Sequence, residues 1–356
     1  MGPMPPSPPL RIVIVDDSPL VIEALRDALE EGGEMRVVGW ACDGREAVER
    51  VERARPDLVT MDLAMPLMGG LEAVERIMAR TPTRIVILTG GPCAKGSELV
   101  VEALARGALE VIPKGPLSPG TPAREALRAR IKLLATVPLL ASWRAVRRPV
   151  DSIRTGAPPT GDPAGLLGLV ASTGGPALLG QILAALPSRL PAALLIVQHI
   201  ADGFAGSLVA WLSRISSIPV VLATQGERPR PGVAYLAPTG AHLKVGRGGL
   251  SLTVDSQTPA RDGHRPSGTL LLQSIADQCG PRGGGLVLTG MGRDGRDGLL
   301  QLRRAGGWTA AQDPASCVVD GMPRAAREAE AAAQVLTPAQ MAEALCRVAH
   351  GWMARG

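Results

Sequence analysis

Apolar runs and helical periodicities alternate along almost the whole chain. Short apolar runs at 11–15, 36–40, 58–63, 84–89 and 109–113 have the length of strands. Segments between them, such as VIEALRDALE, REAVERVERA and LEAVERIMAR, repeat apolar residues every three to four positions, as helices packed on one face do. Strands buried on both faces and separated by helices predict a parallel sheet. The pattern lapses at 137–164, where DSIRTGAPPTGDPAG reads as a linker, flexible over 154–165. It resumes with strands predicted at 165–171, 193–198, 218–222, 285–289 and 308–311, and helices at 176–186, 203–214, 268–278, 296–305 and 338–350. A strand-and-turn stretch at 232–254 interrupts the alternation and predicts a hairpin insert. The expected fold class is α/β, with two doubly wound parallel-sheet domains over 10–136 and 165–350 joined by the linker 137–164.

Composition narrows what such a chain can do. At 356 residues both domains can bury a core, and with one Phe, one Tyr and five Trp that core must be aliphatic. The formal charge of +5 is mild and no basic run interleaves with aromatics, which disfavours nucleic-acid binding. Five Cys without a C-x-x-C argue against a disulfide scaffold or a zinc site and for a reducing compartment. The opening MGPMPPSPPL has no charged n-region, and no run approaches a membrane span, so the expected location is cytoplasmic, without membrane insertion.

In an open parallel sheet, the loops after the strand C-termini converge on one crevice. In the first half these loops carry Asp16 and Asp17, then Asp62, Thr89 and Lys114. Clustered carboxylates need a cation, and hard oxygen donors select Mg²⁺. A central Asp62 can attack a phosphoryl group and hold it as an acyl phosphate. Lys114, one of only four Lys in the chain, would then neutralise the phosphate, and Thr89 would donate a hydrogen bond. One Asp after a strand is usually a cap; matching residues on four strand ends make that reading the minor one.

The second half opens on GLVASTGGPAL, which places Ser172 between a strand and a Gly-Gly-Pro turn into a helix. Backbone N–H groups and the helix dipole favour developing negative charge there. The same turn could cradle a nucleotide phosphate, but neither G-x-G-x-x-G nor G-x-x-x-x-G-K-[ST] is present. His199 ends the run ALLIVQ, and Asp294 lies in LTGMGRDG after a further strand. A serine, a base and an orienting carboxylate on three strand ends of one sheet predict nucleophilic acyl transfer. Within that set His264 competes with His199 as base, and Asp262 and Asp297 compete with Asp294, although Asp297 belongs in a first helical turn. His242 reads as structural and His350 as a surface residue. The small residues of Thr289-Gly290-Met291-Gly292 leave room for a backbone N–H to face an oxyanion. No Cys stands beside a candidate base and no ligand cluster appears in this half, which disfavours a cysteine or metal hydrolase.

Residues 10–125 closely resemble the receiver domain of bacterial response regulators, a flavodoxin-like fold. The resemblance implies Asp62 as phosphoacceptor, Asp16 and Asp17 as Mg²⁺ ligands with the backbone of Ala64, Thr89 as switch hydroxyl and Lys114 as phosphate partner. Val111 stands where receivers carry Phe or Tyr, three positions before the Lys, so the aromatic part of the usual switch is missing. ASTGGP, VQHI, YLAPTGAHL, HRPSG, LTGMGRDG and AQDPASCVVDGMP resemble the protein-glutamate methylesterases of bacterial chemotaxis, the CheB family, in the same order over nearly the whole chain. That resemblance implies a triad of Ser172, His199 and Asp294, an oxyanion N–H from Met291, and no cofactor for the esterase. It further implies hydrolysis of glutamyl methyl esters on methylated chemoreceptors with release of methanol, deamidation of receptor glutamines, and a chemotaxis-type histidine kinase as phosphodonor. An unphosphorylated receiver that limits access to the esterase is expected, as is a monomer. VQHIADGF departs from the family's more usual VQHM-P-x-x-F beside the base.

Overall fold

The computed structural model describes residues 8–90, 94–137 and 161–354. Most of the expected linker, from 138 to 160, lies outside the described residues. The chain divides into two compact units.

The first unit holds five strands, β1 (Leu10–Val15), β2 (Met35–Ala41), β3 (Leu58–Met61), β4 (Arg84–Thr89) and β5 (Glu110–Pro113). They alternate with α1 (Pro19–Glu30), α2 (Gly44–Ala54), α3 (Gly70–Arg80), α4 (Ala94–Ala105) and α5 (Pro122–Ala135). The sheet order is β2-β1-β3-β4-β5 and every pair is parallel. Ile12, Val13, Ile14, Val59, Ile85 and Ile87 are fully buried, as strands covered on both faces require. Helix α2 starts where its sequence says it should: the Asp43 carboxylate accepts from the backbone N–H groups of Arg45 and Glu46.

The second unit is built on seven parallel strands in the order β14-β13-β12-β6-β7-β9-β8. These are β6 (Leu166–Ala171), β7 (Ala193–Gln198), β8 (Val220–Leu222), β9 (Ala234–Leu236), β12 (Gly283–Val287), β13 (Trp308–Gln312) and β14 (Gln334–Leu336). An antiparallel ribbon of β10 (His242–Val245) and β11 (Leu252–Asp255) stands apart from them. The helices are α6 (Gly175–Ala185), α7 (Ala205–Ile215), α8 (Gly268–Cys279), α9 (Arg296–Arg304), α10 (Met322–Glu328) and α11 (Pro338–Met353). From β6 the chain runs one way through β7, then later returns to the other side through β12. The strand order therefore reverses at β6, and the crevice at its C-terminal end is where such sheets bind ligands.

Two differences from the sequence pattern have physical reasons. The strand expected at 285–289 is β12, which starts earlier, at Gly283, and stops at Val287. Its three leading glycines have low strand propensity, yet side chains here would collide with the flanking helices: a Cβ on Gly285 would lie 2.7 Å from Leu299 and 3.0 Å from Leu272. Thr289 then leaves the ladder because its N–H donates to the Gln312 side chain at 2.7 Å. The stretch 232–254 is also more than a hairpin, since β9 joins the main sheet between β7 and β8 and only β10 and β11 form the ribbon. Helix α10 and strand β14 are too short to have shown a period. Among the described residues, no helix is long and apolar enough to cross a membrane.

Candidate functional sites

At the C-terminal edge of the first sheet, one carboxylate oxygen from each of Asp16, Asp17 and Asp62 lies within 4.8 Å of the others. Asp16 follows β1 and is almost fully buried, and its Oδ1 accepts from Ser18 N at 3.1 Å. Asp62 follows β3, and Ala64 N donates to its Oδ1 at 3.1 Å. Lys114 follows β5, and its Nζ donates to Asp16 Oδ2 at 2.6 Å and to Asp62 Oδ2 at 2.5 Å. Burial works to lower the Lys114 pKa, but the hydrogen bonds to Asp16 and Asp62 outweigh it and hold the amine above its ordinary value. The N–H of Lys114 also donates to Thr89 O at 2.6 Å, which sets Thr89 beside it on the neighbouring strand. The predicted cluster thus meets at one edge. Three hard oxygen donors around one point suit a hard divalent cation such as Mg²⁺, and the Lys114 ammonium lies against two of these carboxylates. Val111 is buried in β5, in register with Ile87.

The second crevice is built from three loops. Ser172 follows β6, its N–H donating to Thr289 O at 3.0 Å and its carbonyl accepting from Gly175 N at 2.8 Å. Gly174 caps α6 with φ of 78°, a left-handed value that suits glycine. His199 follows β7, and its N–H donates to Ala171 O at 2.9 Å, the last rung of the β6–β7 ladder. Asp294 follows β12. Its side chain is fully buried and 2.9 Å from His199 Nε2.

Asp294 has three hydrogen-bond partners besides His199. Its Oδ1 accepts from Ser267 Oγ at 2.9 Å and Thr269 N at 2.9 Å, and its Oδ2 from Gly268 N at 2.6 Å as well as His199. Gly268 and Thr269 begin α8, so the carboxylate sits on a helix N-terminus. Burial alone would raise its pKa, but the hydrogen bond from His199 and those from Thr269 and Gly268 hold the carboxyl well below the usual carboxylate range. Facing an ionised Asp294, Nε2 of His199 is the donor, and in a neutral ring the lone pair then sits on Nδ1. Nδ1 is buried and has no hydrogen-bond partner among the described residues. The nucleophile-to-base hydrogen bond is therefore not formed in this structure, while the base-to-carboxylate bond is.

The rival residues are also placed. His264 stacks on His199, with ring centroids 3.9 Å apart and planes within 3°. Asp262 pairs with Arg293 at 3.0 Å. Asp297 lies in the first turn of α9, 2.7 Å from Arg296. His242 is fully buried and bridges two backbone groups, Nδ1 accepting from Ser267 N at 3.1 Å and Nε2 lying 3.1 Å from Pro259 O. His350 is exposed on α11.

Several groups that position the site were not singled out from sequence. Ser267, Gly268 and Thr269 hold Asp294; the N-cap serine after the proline of HRPSG was the signal available. The loop after β12 is pinned by the segment before α10, because Gly290 N donates to Val319 O at 3.0 Å and Met322 N to Gly290 O at 2.8 Å. A Cβ on Gly290 would lie 2.6 Å from the Ser172 Cβ and 2.5 Å from Met322 Sδ. That close approach brings the backbone of Gly290 against Ser172. Thr289 Oγ1 donates to Thr173 O at 3.0 Å and ties the same loop to the nucleophile turn.

Both halves of the chain are similar to known proteins. Residues 167–345 match the CheB methylesterase family, and residues 12–120 match the response regulator receiver domain. A protein-glutamate methylesterase/protein-glutamine glutaminase of Anaeromyxobacter dehalogenans is 44% identical over 94% of this chain and 98% of its own. A Myxococcus xanthus protein of the same description is 42% identical over 94% of this chain and 92% of its own. The crystal structure of the Thermotoga maritima CheB methylesterase catalytic domain is 33% identical, covering 52% of this chain and 98% of that one, with a TM-score of 0.50.

Proposed function

The chain belongs to the CheB methylesterase family and carries a response-regulator receiver domain, and from that premise we propose a mechanism for a phosphorylation-regulated serine hydrolase acting on chemoreceptors. Ser172 Oγ attacks the carbonyl of a glutamyl methyl ester while Nδ1 of His199 takes its proton. The tetrahedral oxyanion is stabilised by the Met291 N–H and by the N-terminus of α6. His199 returns the proton to the leaving oxygen, methanol departs, and a glutamyl–Ser172 ester remains. Water, deprotonated by the same Nδ1, hydrolyses that ester to a glutamate side chain and restores Ser172. With a glutamine substrate the leaving group is ammonia, and the remaining steps are unchanged. Throughout, the Asp294 carboxylate keeps the proton of neutral His199 on Nε2 and stabilises the imidazolium.

In the receiver, Asp62 accepts the phosphoryl group from a histidine kinase, with Lys114 and Thr89 contacting its oxygens. Asp16, Asp17, Asp62 and the backbone of Ala64 would hold Mg²⁺, which supplies positive charge against the phosphate. Phosphorylation shifts the receiver from a state that restrains the esterase to one that releases it. A shift of about 1.4 kcal/mol changes the released fraction up to tenfold.

One observation supports the hydrolase reading above the rest: His199 is oriented by a buried Asp294 carboxyl, with an Nδ1 that has no partner among the described residues at the strand end next to Ser172. The test is methanol release from membranes bearing methylated receptors, for wild type and Ser172→Ala, with and without acetyl phosphate and Mg²⁺. Release that rises with the phosphodonor and vanishes in the variant is expected. Release unaffected by Ser172→Ala would refute the nucleophile, and release indifferent to the phosphodonor would refute the switch.

A further inference from the structure

Gln198, the last residue of β7, stands between the two reacting residues without belonging to the triad. Its side-chain Nε2 donates to the carbonyl of Ser172 at 2.8 Å and to the carbonyl of His199 at 2.8 Å. One amide group therefore uses both its hydrogens on the backbones of the nucleophile and the base. It does so where the sheet has ended: the β6–β7 pairing closes at Ala171 opposite Gln198, and no ladder bond joins the strands beyond His199 N to Ala171 O. Ser172 N is directed to the other neighbour, Thr289 O, so among the described residues no other backbone ladder bond ties the Ser172 turn to the His199 turn.

The rest of the side chain shows that it is not there as filler. Gln198 is only 3% exposed, and its Oε1 is buried with no hydrogen-bond partner among the described residues. That oxygen lies over the start of α6, where a Cβ on Gly175 would come within 2.1 Å of it. A methionine or leucine would fill the same volume with no unsatisfied acceptor. A buried unpaired oxygen is tolerated where the other end of the group serves a purpose that an apolar side chain cannot.

We propose that Gln198 is a positioning residue for hydrolysis, a cross-strand clamp that sets the distance and angle between Ser172 Oγ and His199 Nδ1. The inference rests on the reading of Ser172 and His199 as nucleophile and base. Misplacement of a reacting pair by a fraction of an ångström to 1 Å slows the chemical step strongly while leaving remote substrate contacts alone, so the effect belongs in kcat rather than KM.

The test uses the full-length protein with Gln198→Met and Gln198→Glu. Methionine keeps the volume and removes both donors. Glutamate keeps the shape but, when ionised, turns an oxygen toward the two carbonyls; when protonated it recovers one donor. The expected result for Gln198→Met is a fall in kcat of about 10- to 100-fold with KM within threefold of wild type and an unchanged folded fraction by thermal unfolding. The rate at which a small phosphonofluoridate labels Ser172 should fall by the same factor, since that reaction needs the Ser–His pair but no receptor. For Gln198→Glu, activity relative to wild type should rise as pH falls, because burial and the facing carbonyls favour the protonated acid. A Gln198→Met kcat within threefold of wild type, a loss that merely tracks unfolding, or a Gln198→Glu pH profile that parallels wild type would each overturn the clamp. Ser172→Ala is run beside them: if it stays active the triad reading fails, whereas if it is dead and the Gln198 variants are not, only the clamp fails.

Discussion

Replacing Asp294 by Asn tests the centre of the catalytic reading, because the amide has nearly the shape of the carboxylate but cannot satisfy the same partners. The carboxylate accepts four hydrogen bonds, two on each oxygen, and each oxygen faces one backbone N–H of the first turn of α8: Thr269 on Oδ1 and Gly268 on Oδ2. Whichever way an asparagine amide is turned, its NH₂ points at one of these N–H groups. A buried donor left unpaired costs about 1–3 kcal/mol, and the helix N-terminus loses its compensating charge, worth about 0.3–2 kcal/mol. If the amide oxygen faces His199, the tautomer survives but the imidazolium loses its counter-charge. If the NH₂ faces His199, the ring must accept on Nε2, and Nδ1 then carries a proton and cannot act as base. Triads with this substitution lose up to about 10⁴-fold in kcat, so a fall of about 10²–10⁴ is expected, or about 3–6 kcal/mol at about 1.4 kcal/mol per decade. Stability adds an independent readout. The Asp294 pKa is depressed in the folded state, so its contribution is fully present above the unfolded value of about 3.9 and is lost as pH falls below it toward the folded value. Wild type should therefore exceed Asp294→Asn in urea resistance at pH 7, and the gap should narrow below about pH 4. Methanol release gives kcat and urea titration gives stability. A variant with kcat within threefold of wild type, or a stability gap independent of pH, would refute the reasoning.

Other expectations are equally concrete. Gly290→Ala pushes a methyl group to within 2.6 Å of the Ser172 Cβ and 2.5 Å of Met322 Sδ; it should cost about 1–3 kcal/mol and lower kcat, and a neutral result by thermal melting and methanol assay would show that the loop after β12 is free to move. Lys114→Met removes the ammonium shared by Asp16 and Asp62; stimulation of methanol release by acetyl phosphate should disappear while basal release persists, and retained stimulation would exclude the assigned role. Leu286→Ala opens the fully buried centre of β12 and should lower stability by about 2–5 kcal/mol, measured as a shift in the urea midpoint with an unchanged slope.

The chain's alternation of apolar runs and helical periods determines the architecture, because strands covered on both faces and helices packed on one carry different periods over lengths that are hard to mistake. It also determined the chemical inventory at the strand ends: Asp16, Asp17, Asp62 and Lys114 in one sheet, Ser172, His199 and Asp294 in the other. The parallel sheet does the rest, since its C-terminal edge gathers such residues whatever their separation in sequence. Where local propensity and packing disagree, the sequence pattern was silent. The glycines of β12 resemble a turn and become a strand only because α8 and α9 must approach closely. β9 is three residues long and finds its place through β7 and β8. The tertiary structure supplied the contact itself, placing His199 rather than the stacked His264 against Asp294, because that pairing depends on how loops distant in sequence fold together. It alone revealed that Asp294 accepts four hydrogen bonds at a helix N-terminus and that the Gln198 amide bridges Ser172 and His199. Hydrogen bonds across strands are set by register and by the ends of ladders, and a linear pattern of polar and apolar residues carries neither.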